Sequence, residues 1–481
     1  MNQAIRNTWI AVMVLFVLCL GALSYVQFFA AKDLNANPLN NRQLFRDFDL
    51  PRGAILVDGK PIAESVPTDG QFKYQRVYTD PELYSHLTGF YSLANGSTQL
   101  ESVMNPELTG KSQDQFFDRL VNLFSGKENE GASVELTIDG ELQKFVYDLI
   151  PDDTRGSIIV SEPKTGNILA MASKPSYDTN LVAVHSSKQA VANLKKINEI
   201  PGLSSNTNPA LGNLPAPGST FKIFDMVAAL ESGKYNADTV MKNPNTVTLP
   251  DGNTKMGNFY AGICASQPEA TFAFIVAQSC NTPFAEISTE LGAPVFEDVT
   301  ERFGFGQQLN IPLRVTPSEF PKGLNPTQLA QSVIGQLNVK ATAMQMNMTA
   351  MGIANDGVIM EPNLVKQVMA PDLRVLSSSE PKEFSTATTK EVADQVTDLM
   401  RGPVKSGTAM RAAVPGLDIA AKTGTADIGT TGFVNSWITG FAPADDPEVA
   451  VTIVIERTKY ATGSALTSPN MKKILEAVFN Q

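Results

Sequence analysis

The chain has 481 residues, 43% of them hydrophobic and 18% charged, which is ample for a sizeable core and for more than one domain. Its formal net charge of -11 opposes the field that a polyanion-binding surface needs, so nucleic acid is set aside as a partner. The histidines, His86 and His185, both stand apart from any candidate nucleophilic serine, and a Ser-His-Asp hydrolase is not the expected chemistry.

Residues 7–31 carry no charged side chain and include Trp9, Leu15, Phe16, Leu20 and Phe28, a run longer than the roughly 20 residues that span a bilayer. The reading is an uncleaved anchor. A cleaved signal peptide, hinted at only by Ala30 and Ala31, and a buried core helix are the alternatives. Arg6 on one side, against Lys32 offset by Asp33 on the other, makes 1–6 a cytoplasmic tail and puts the bulk outside the cytoplasm. Cys19 falls inside the anchor, which leaves Cys264 and Cys280 either bridged or as two buried thiols.

Asp33 to Asn41, with Pro38, reads as a membrane-proximal linker. Ala54-Ile55-Leu56-Val57 followed by Asp58-Gly59 predicts a strand and a tight turn. Phe116, Phe117, Leu120, Val121 and Phe124 recur at helical spacing before the Gly126 to Gly131 break, as expected of a helix packed in a small non-catalytic domain over 32–139.

A second domain, 140–481, is expected to begin with a helix over Leu142 to Ile150. The strands Ile158 to Val160 and Ile168 to Ala172, about a Pro163 to Gly166 turn, then predict an antiparallel hairpin. Ser219 to Leu230 is apolar around most of a helix that Gly233 ends, and should be buried. Residues 268–349 read as mainly helical, with Met344, Met346 and Met348 in the core. Leu417 to Ala421, Trp437 to Phe441 and Val449 to Ile455 read as strands, and Met471 to Phe479 as a closing helix. Strands at both ends of a helical middle predict one sheet fed from both ends of the chain, a mixed α+β fold.

Three short runs carry the chemistry. Ser-x-x-Lys occurs at Ser219–Lys222, Ser161–Lys164 and Ser379–Lys382, but the last two place Pro163 and Pro381 before the lysine, where the ring disfavours a helical turn. At Ser219 and Lys222 the i, i+3 spacing puts hydroxyl and amine on one helix face, within reach of a direct hydrogen bond. Burial would make Lys222 a neutral base. Ser279-Cys280-Asn281 falls between two helical stretches, unlike Ser204–Asn206 in a polar loop and Ser468–Asn470 with Pro469 inside it. It is either a bare helix cap or a site loop, with Ser279 relaying a proton between Lys222 and the leaving group and Asn281 orienting Lys222 and the substrate. Lys164-Thr165-Gly166 lies in the hairpin turn, whereas Lys422-Thr423-Gly424-Thr425 ends a strand expected to pair with the Trp437 strand. There Lys422 supplies charge, Thr423 and Thr425 bind a carboxylate, and Gly424 lets a substrate backbone approach. The Ser219 and Thr425 backbone amides are the expected oxyanion donors.

With these runs in this order, the chain resembles class B penicillin-binding proteins, in character the actinobacterial penicillin-binding protein A group. Arg52-Gly53, Tyr177-Asp178-Thr179-Asn180, Ala354-Asn355-Asp356-Gly357 and Gly440-Phe441-Ala442-Pro443 add to the likeness. The resemblance implies a penicilloyl-serine transferase (beta-lactamase-like) domain above a pedestal and one transmembrane helix. It implies a D,D-transpeptidase that cross-links peptidoglycan stem peptides through a Ser219 acyl-enzyme, releases terminal D-Ala, is trapped by beta-lactams, and needs no metal or organic cofactor. Membrane-bound glycan polymerases or division proteins are the partners it implies. A D,D-carboxypeptidase is the alternative, with a beta-lactamase or a beta-lactam sensor behind it. Two departures lie near the expected cleft: Ala216 where the family often has an aromatic or Pro, and Leu337 where it has the last glycine of Gly-Gln-Gly.

Overall fold

The computed structural model describes residues 3–30, 47–126, 128–259 and 261–479. The first helix, Gln3–Ser24, continues through a short π-helical turn at Tyr25–Phe29. Within it, 3–27 form a 25-residue span whose most apolar 18-residue window has a mean hydropathy of 2.4 and is not buried, which removes the core-helix alternative. The expected linker at 33–41 lies outside the described residues.

A five-stranded antiparallel sheet organises the larger part, in the order Ala420–Asp427, Val434–Ala442, Val449–Thr458, Arg155–Ser161, Ile168–Lys174. Its strands come from both ends of the sequence, as their β-branched runs predict. One face packs Ile159, Met171, Trp437 and Val454 against the helix Ala343–Ala354, and the helix Lys222–Glu231 belongs to the same core. The other packs Ile158, Val160, Ile438 and Ile453 against Leu142 and Val146 of Gly140–Asp148 and Met471 and Ile474 of Ser468–Phe479. Covered on both faces, Val434–Ala442 is buried at every position, which is why it reads as a continuous rather than alternating apolar run.

The N-terminal region contains a six-stranded sheet ordered Val375–Ser378, Val365–Met369, Ser133–Leu136, Ile55–Val57, Lys60–Pro67, Tyr74–Tyr78. The expected turn at Asp58-Gly59 is present, with φ of 52° and 71°, the left-handed pair a tight hairpin requires. Two of the six strands come from 365–378, far along the chain, and the sequence reading did not anticipate them. Asn180 joins the two regions: its amide donates to the Tyr78 carbonyl and its Oδ1 accepts from the Tyr78 amide, both at 2.9 Å. The helix Phe116–Ser125 forms as expected, but its apolar stripe faces outward rather than into a core.

Candidate active site

Ser219 lies in a 3-10 turn, Gly218–Phe221, that runs directly into the helix Lys222–Glu231. Every residue from Lys222 to Leu230 is buried, so Lys222 is held under the turn that presents Ser219. Beside this turn runs the Ala420–Asp427 strand, which contains Lys422 to Thr425. The expected strand at Leu417 to Ala421 is thus displaced: pairing begins at Ala420 and continues through the motif, with Gly424 opposite Trp437. Two glycines allow turn and strand to touch. A Cβ on Gly218, whose φ is 54°, would sit 2.5 Å from the Thr425 carbonyl, and one on Gly424 would sit 2.5 Å from the Pro217 carbonyl, closer than any side chain tolerates.

The third run forms the loop between Phe272–Ala277 and Thr282–Leu291, with Ser279 in the left-handed region at φ 57°. Asn281 precedes the second helix but makes no side-chain cap, so the bare-cap alternative falls. Its Oδ1 instead accepts from Lys222 Nζ at 2.7 Å, and its amide donates to the Gly257 carbonyl at 3.0 Å. Cys264 and Cys280 are joined as a disulfide, Cα atoms 5.8 Å apart, which ties this loop to the neighbouring Ala261–Cys264 helix.

Lys222 Nζ also donates to the carbonyls of Ser279 at 2.9 Å and Cys280 at 3.0 Å. Three acceptors match the three donors of its ammonium form, whereas the neutral amine donates to two and keeps a lone pair; among the described residues no hydrogen bond links it to the Ser219 hydroxyl. The direct bond expected from the i, i+3 spacing is therefore not made; the loop acceptors outcompete a half-buried hydroxyl. Ser279 differs from expectation as well: its carbonyl meets Lys222, while its hydroxyl accepts from Lys422 Nζ at 2.7 Å.

Both lysines are fully buried. Burial, and then the neighbouring Lys422 charge, pull Lys222 well below the usual lysine range. Burial alone brings Lys422 down to about 7. Burial thus holds both below the range of solvated lysines.

A cleft of about 670 Å³ opens above them, lined among others by Ser219, Ser279, Asn281, Thr423, Gly424 and Thr425. All three runs thus meet in one groove. The other two Ser-x-x-Lys copies are structural: Ser161 donates to Asn347 at 2.6 Å, and Lys382 pairs with Glu361 at 2.7 Å. Ser468, from a copy set aside as a decoy, does line the cleft. Sequence reasoning also missed Asn258, whose Oδ1 accepts from the Asn281 amide at 2.6 Å and the Thr282 amide at 3.2 Å, and Thr408, whose hydroxyl meets that of Thr423 at 2.6 Å. Neither belongs to a motif, so no local signal marked them. Leu337 lines the cleft in the left-handed region, φ 61°, where a glycine would be unstrained.

The family model described as penicillin binding protein transpeptidase domain matches residues 156–476. The chain belongs to this family. A second family model, penicillin binding protein A dimerisation domain, matches 52–134. The chain is 36% identical over 492 aligned residues to the peptidoglycan D,D-transpeptidase PbpA of Mycolicibacterium smegmatis, covering 100% of both chains. It is 34% identical to the protein of the same name from Mycobacterium tuberculosis, covering 99% of both. Among solved structures, penicillin-binding protein A from M. tuberculosis in its ceftriaxone acyl-enzyme complex superimposes with a TM-score of 0.85 at 32% identity, covering 90% of this chain and 100% of that one. This penicillin-binding protein chain shares the mixed α/β transpeptidase fold of that group.

Proposed function

We propose that this chain is a serine-type peptidoglycan D,D-transpeptidase, anchored by one N-terminal helix with its catalytic part outside the cytoplasm. The observation that carries the reading is the convergence of Ser219, Lys222, Ser279, Asn281 and Lys422 through the hydrogen bonds above, under a groove that exposes Ser219. Ser219 Oγ attacks the carbonyl between the two terminal D-alanines of a donor stem. Its proton passes to Lys222, which burial and Lys422 keep neutral enough to accept it. The three acceptors around Nζ then form a ready cradle for the ammonium. The hydrogen bond from Ser219 to Lys222 forms only when substrate is seated.

The Ser279 hydroxyl, already bonded to Lys422, hands its proton to the departing D-Ala amine and takes in its place the one that Lys222 received from Ser219, so that both side chains return to their starting forms. Lys422, Thr423 and Thr425 hold the terminal carboxylate, Gly424 admits the substrate backbone, and the Ser219 and Thr425 amides receive the oxyanion. An amine from a second stem resolves the acyl-enzyme, and a beta-lactam leaves it trapped. Residues 1–6 form the cytoplasmic tail, 7–31 the anchor, 32–139 the pedestal and 140–481 the catalytic domain; the 365–378 hairpin completes the pedestal sheet. Membrane-bound glycan polymerases or division proteins supply the nascent strands.

The test is product analysis with donor and acceptor stems. A cross-linked dimer with release of one D-Ala, lost in Ser219→Ala, is expected. Trimmed donor alone would assign a carboxypeptidase.

A further inference from the structure

The strand Ala420–Asp427 carries the catalytic groove beyond the residues that the chemistry uses. Its pairing with Val434–Ala442 runs without a register shift as far as Asp427, opposite Val434, so successive side chains keep alternating between the two faces. Burial follows that alternation: Lys422, Gly424 and Ala426 are buried, Thr423 and Thr425 half-buried, and Asp427 exposed. Thr423, Thr425 and Asp427 therefore form one row on the groove side, and all three line the cleft. Among the described residues, Asp427 and Lys255 are the charged side chains of that lining. They do not pair with each other, and among the described residues neither makes a side-chain hydrogen bond or ion pair.

The row has a direction. Lys422 and Thr423 stand at the end that takes the donor's terminal carboxylate, and the Thr425 amide takes the oxyanion of the carbonyl one residue before it. A donor extended along this strand, which is an edge strand of its sheet, has the rest of its stem heading past Thr425. Asp427 lies two residues farther on, about 7 Å along the strand, within side-chain reach of the residue that precedes the D-alanine pair.

An unpaired carboxylate at that place suits a cation, and the stem supplies one. A stem serves as acceptor only through a free amine. That amine lies upstream of the D-alanine pair, whose own nitrogens are both in peptide bonds. In a donor not yet used as an acceptor it is an alkylammonium; in a donor already cross-linked through it, it is an uncharged amide.

We propose that Asp427 binds this ammonium and makes the cleft prefer donors whose own amine is still free. The inference rests on the transpeptidase reading above and adds a substrate class to it. The pair is exposed to solvent, so its effect is modest and screened by salt.

The test uses the full chain in detergent micelles and two soluble donor peptides ending in D-Ala-D-Ala. They are identical except that the side-chain amine of the preceding residue is free in one and acetylated in the other. D-Ala release is measured for both with one fixed simple amine as acceptor, because in a ping-pong reaction the donor's kcat/KM reports acylation. The native chain is expected to favour the free-amine donor by about two- to fivefold at low salt, and by less as salt rises. Asp427→Asn is expected to bring the ratio near one, and Asp427→Lys to invert it. A general disturbance of the cleft slows both donors and leaves the ratio alone, so the ratio separates recognition from damage. A native ratio near one overturns the proposal, and so does a preference that survives Asp427→Asn. An Asp427→Asn effect confined to the yield of amine-resolved product also overturns it, by assigning the carboxylate to the acceptor. Failure of the transpeptidase reading shows separately, as a chain that releases D-Ala from neither donor and is not labelled at Ser219 by fluorescent penicillin, and it removes this inference too.

Discussion

Arg52 and Arg76 in the N-terminal region and Lys222 and Lys422 beneath the cleft are all buried, yet their surroundings differ in kind. The two guanidiniums close on one carboxylate, each Nε 2.6 Å from a Glu101 oxygen. Burial pushes Glu101 up, but Arg76 and Arg52 outweigh it and hold the carboxyl below its usual range. Among the described residues, Lys222 and Lys422 hydrogen-bond only to carbonyls, an amide oxygen and a hydroxyl. Asp225, one turn beyond Lys222, accepts no hydrogen bond among the described residues and is pushed well above the carboxylate range by burial, so it is no fixed counter-ion. A cation locked to a carboxylate is architecture. A cation given only neutral dipoles in a dry site is destabilised in its charged form and gives up its proton more readily than a solvated lysine, as a base must.

The contrast breaks most visibly at Glu101. Glu101→Gln leaves two guanidiniums buried without a counter-charge and is expected to cost about 3–5 kcal/mol of stability, read from denaturant midpoints, while the folded fraction still reacts with penicillin at the native rate. At Lys222 the effect should fall on chemistry: Lys222→Ala is expected to slow acylation by at least about 100-fold, with its unfolding midpoint shifted far less than that of Glu101→Gln. A collapse of the fold with acylation retained would reverse the two roles.

Lys422 sharpens the comparison through pH. With its buried amine titrating at about 7, it is charged below that value and neutral above it. Capture of a carboxylate should therefore weaken as pH rises through this range. The alkaline limb of the acylation profile is expected to move up in Lys422→Arg, whose guanidinium stays charged, even though the rate at the maximum falls. An unmoved limb would assign that ionisation elsewhere. The smallest effect is at the cleft rim, where Leu337→Gly relieves a left-handed side chain and is expected to raise stability by up to about 1 kcal/mol in denaturant titrations.

Much of this was legible because the relevant physics is local. The buried helix after Ser219, the strand hairpin at 155–174 and the continuous apolar strand at 449–458 each follow from a period or a run, and the three short motifs from their spacing and order. What escaped depends on distant parts of the chain. The 365–378 hairpin joins a sheet begun at Ile55, and its partly exposed strands carry little apolar pattern. Asn258 acts through the 281–282 amides, a pairing no local window contains. The Ser219–Lys222 contact was read from helical spacing alone, which could not foresee three competing acceptors from the 279–281 loop. The Phe116–Ser125 stripe obeyed its period but not the inference of burial, since periodicity tells which residues share a face and not what covers that face.

The most direct measurement is labelling of the intact chain by a fluorescent penicillin, native against Ser219→Ala, with the adduct located by peptide mass spectrometry. A stable adduct on the Ser219 peptide of the native chain and none in the variant is the predicted result. Labelling that survives Ser219→Ala, or an adduct on another residue, would contradict the assignment of the nucleophile and the mechanism built on it.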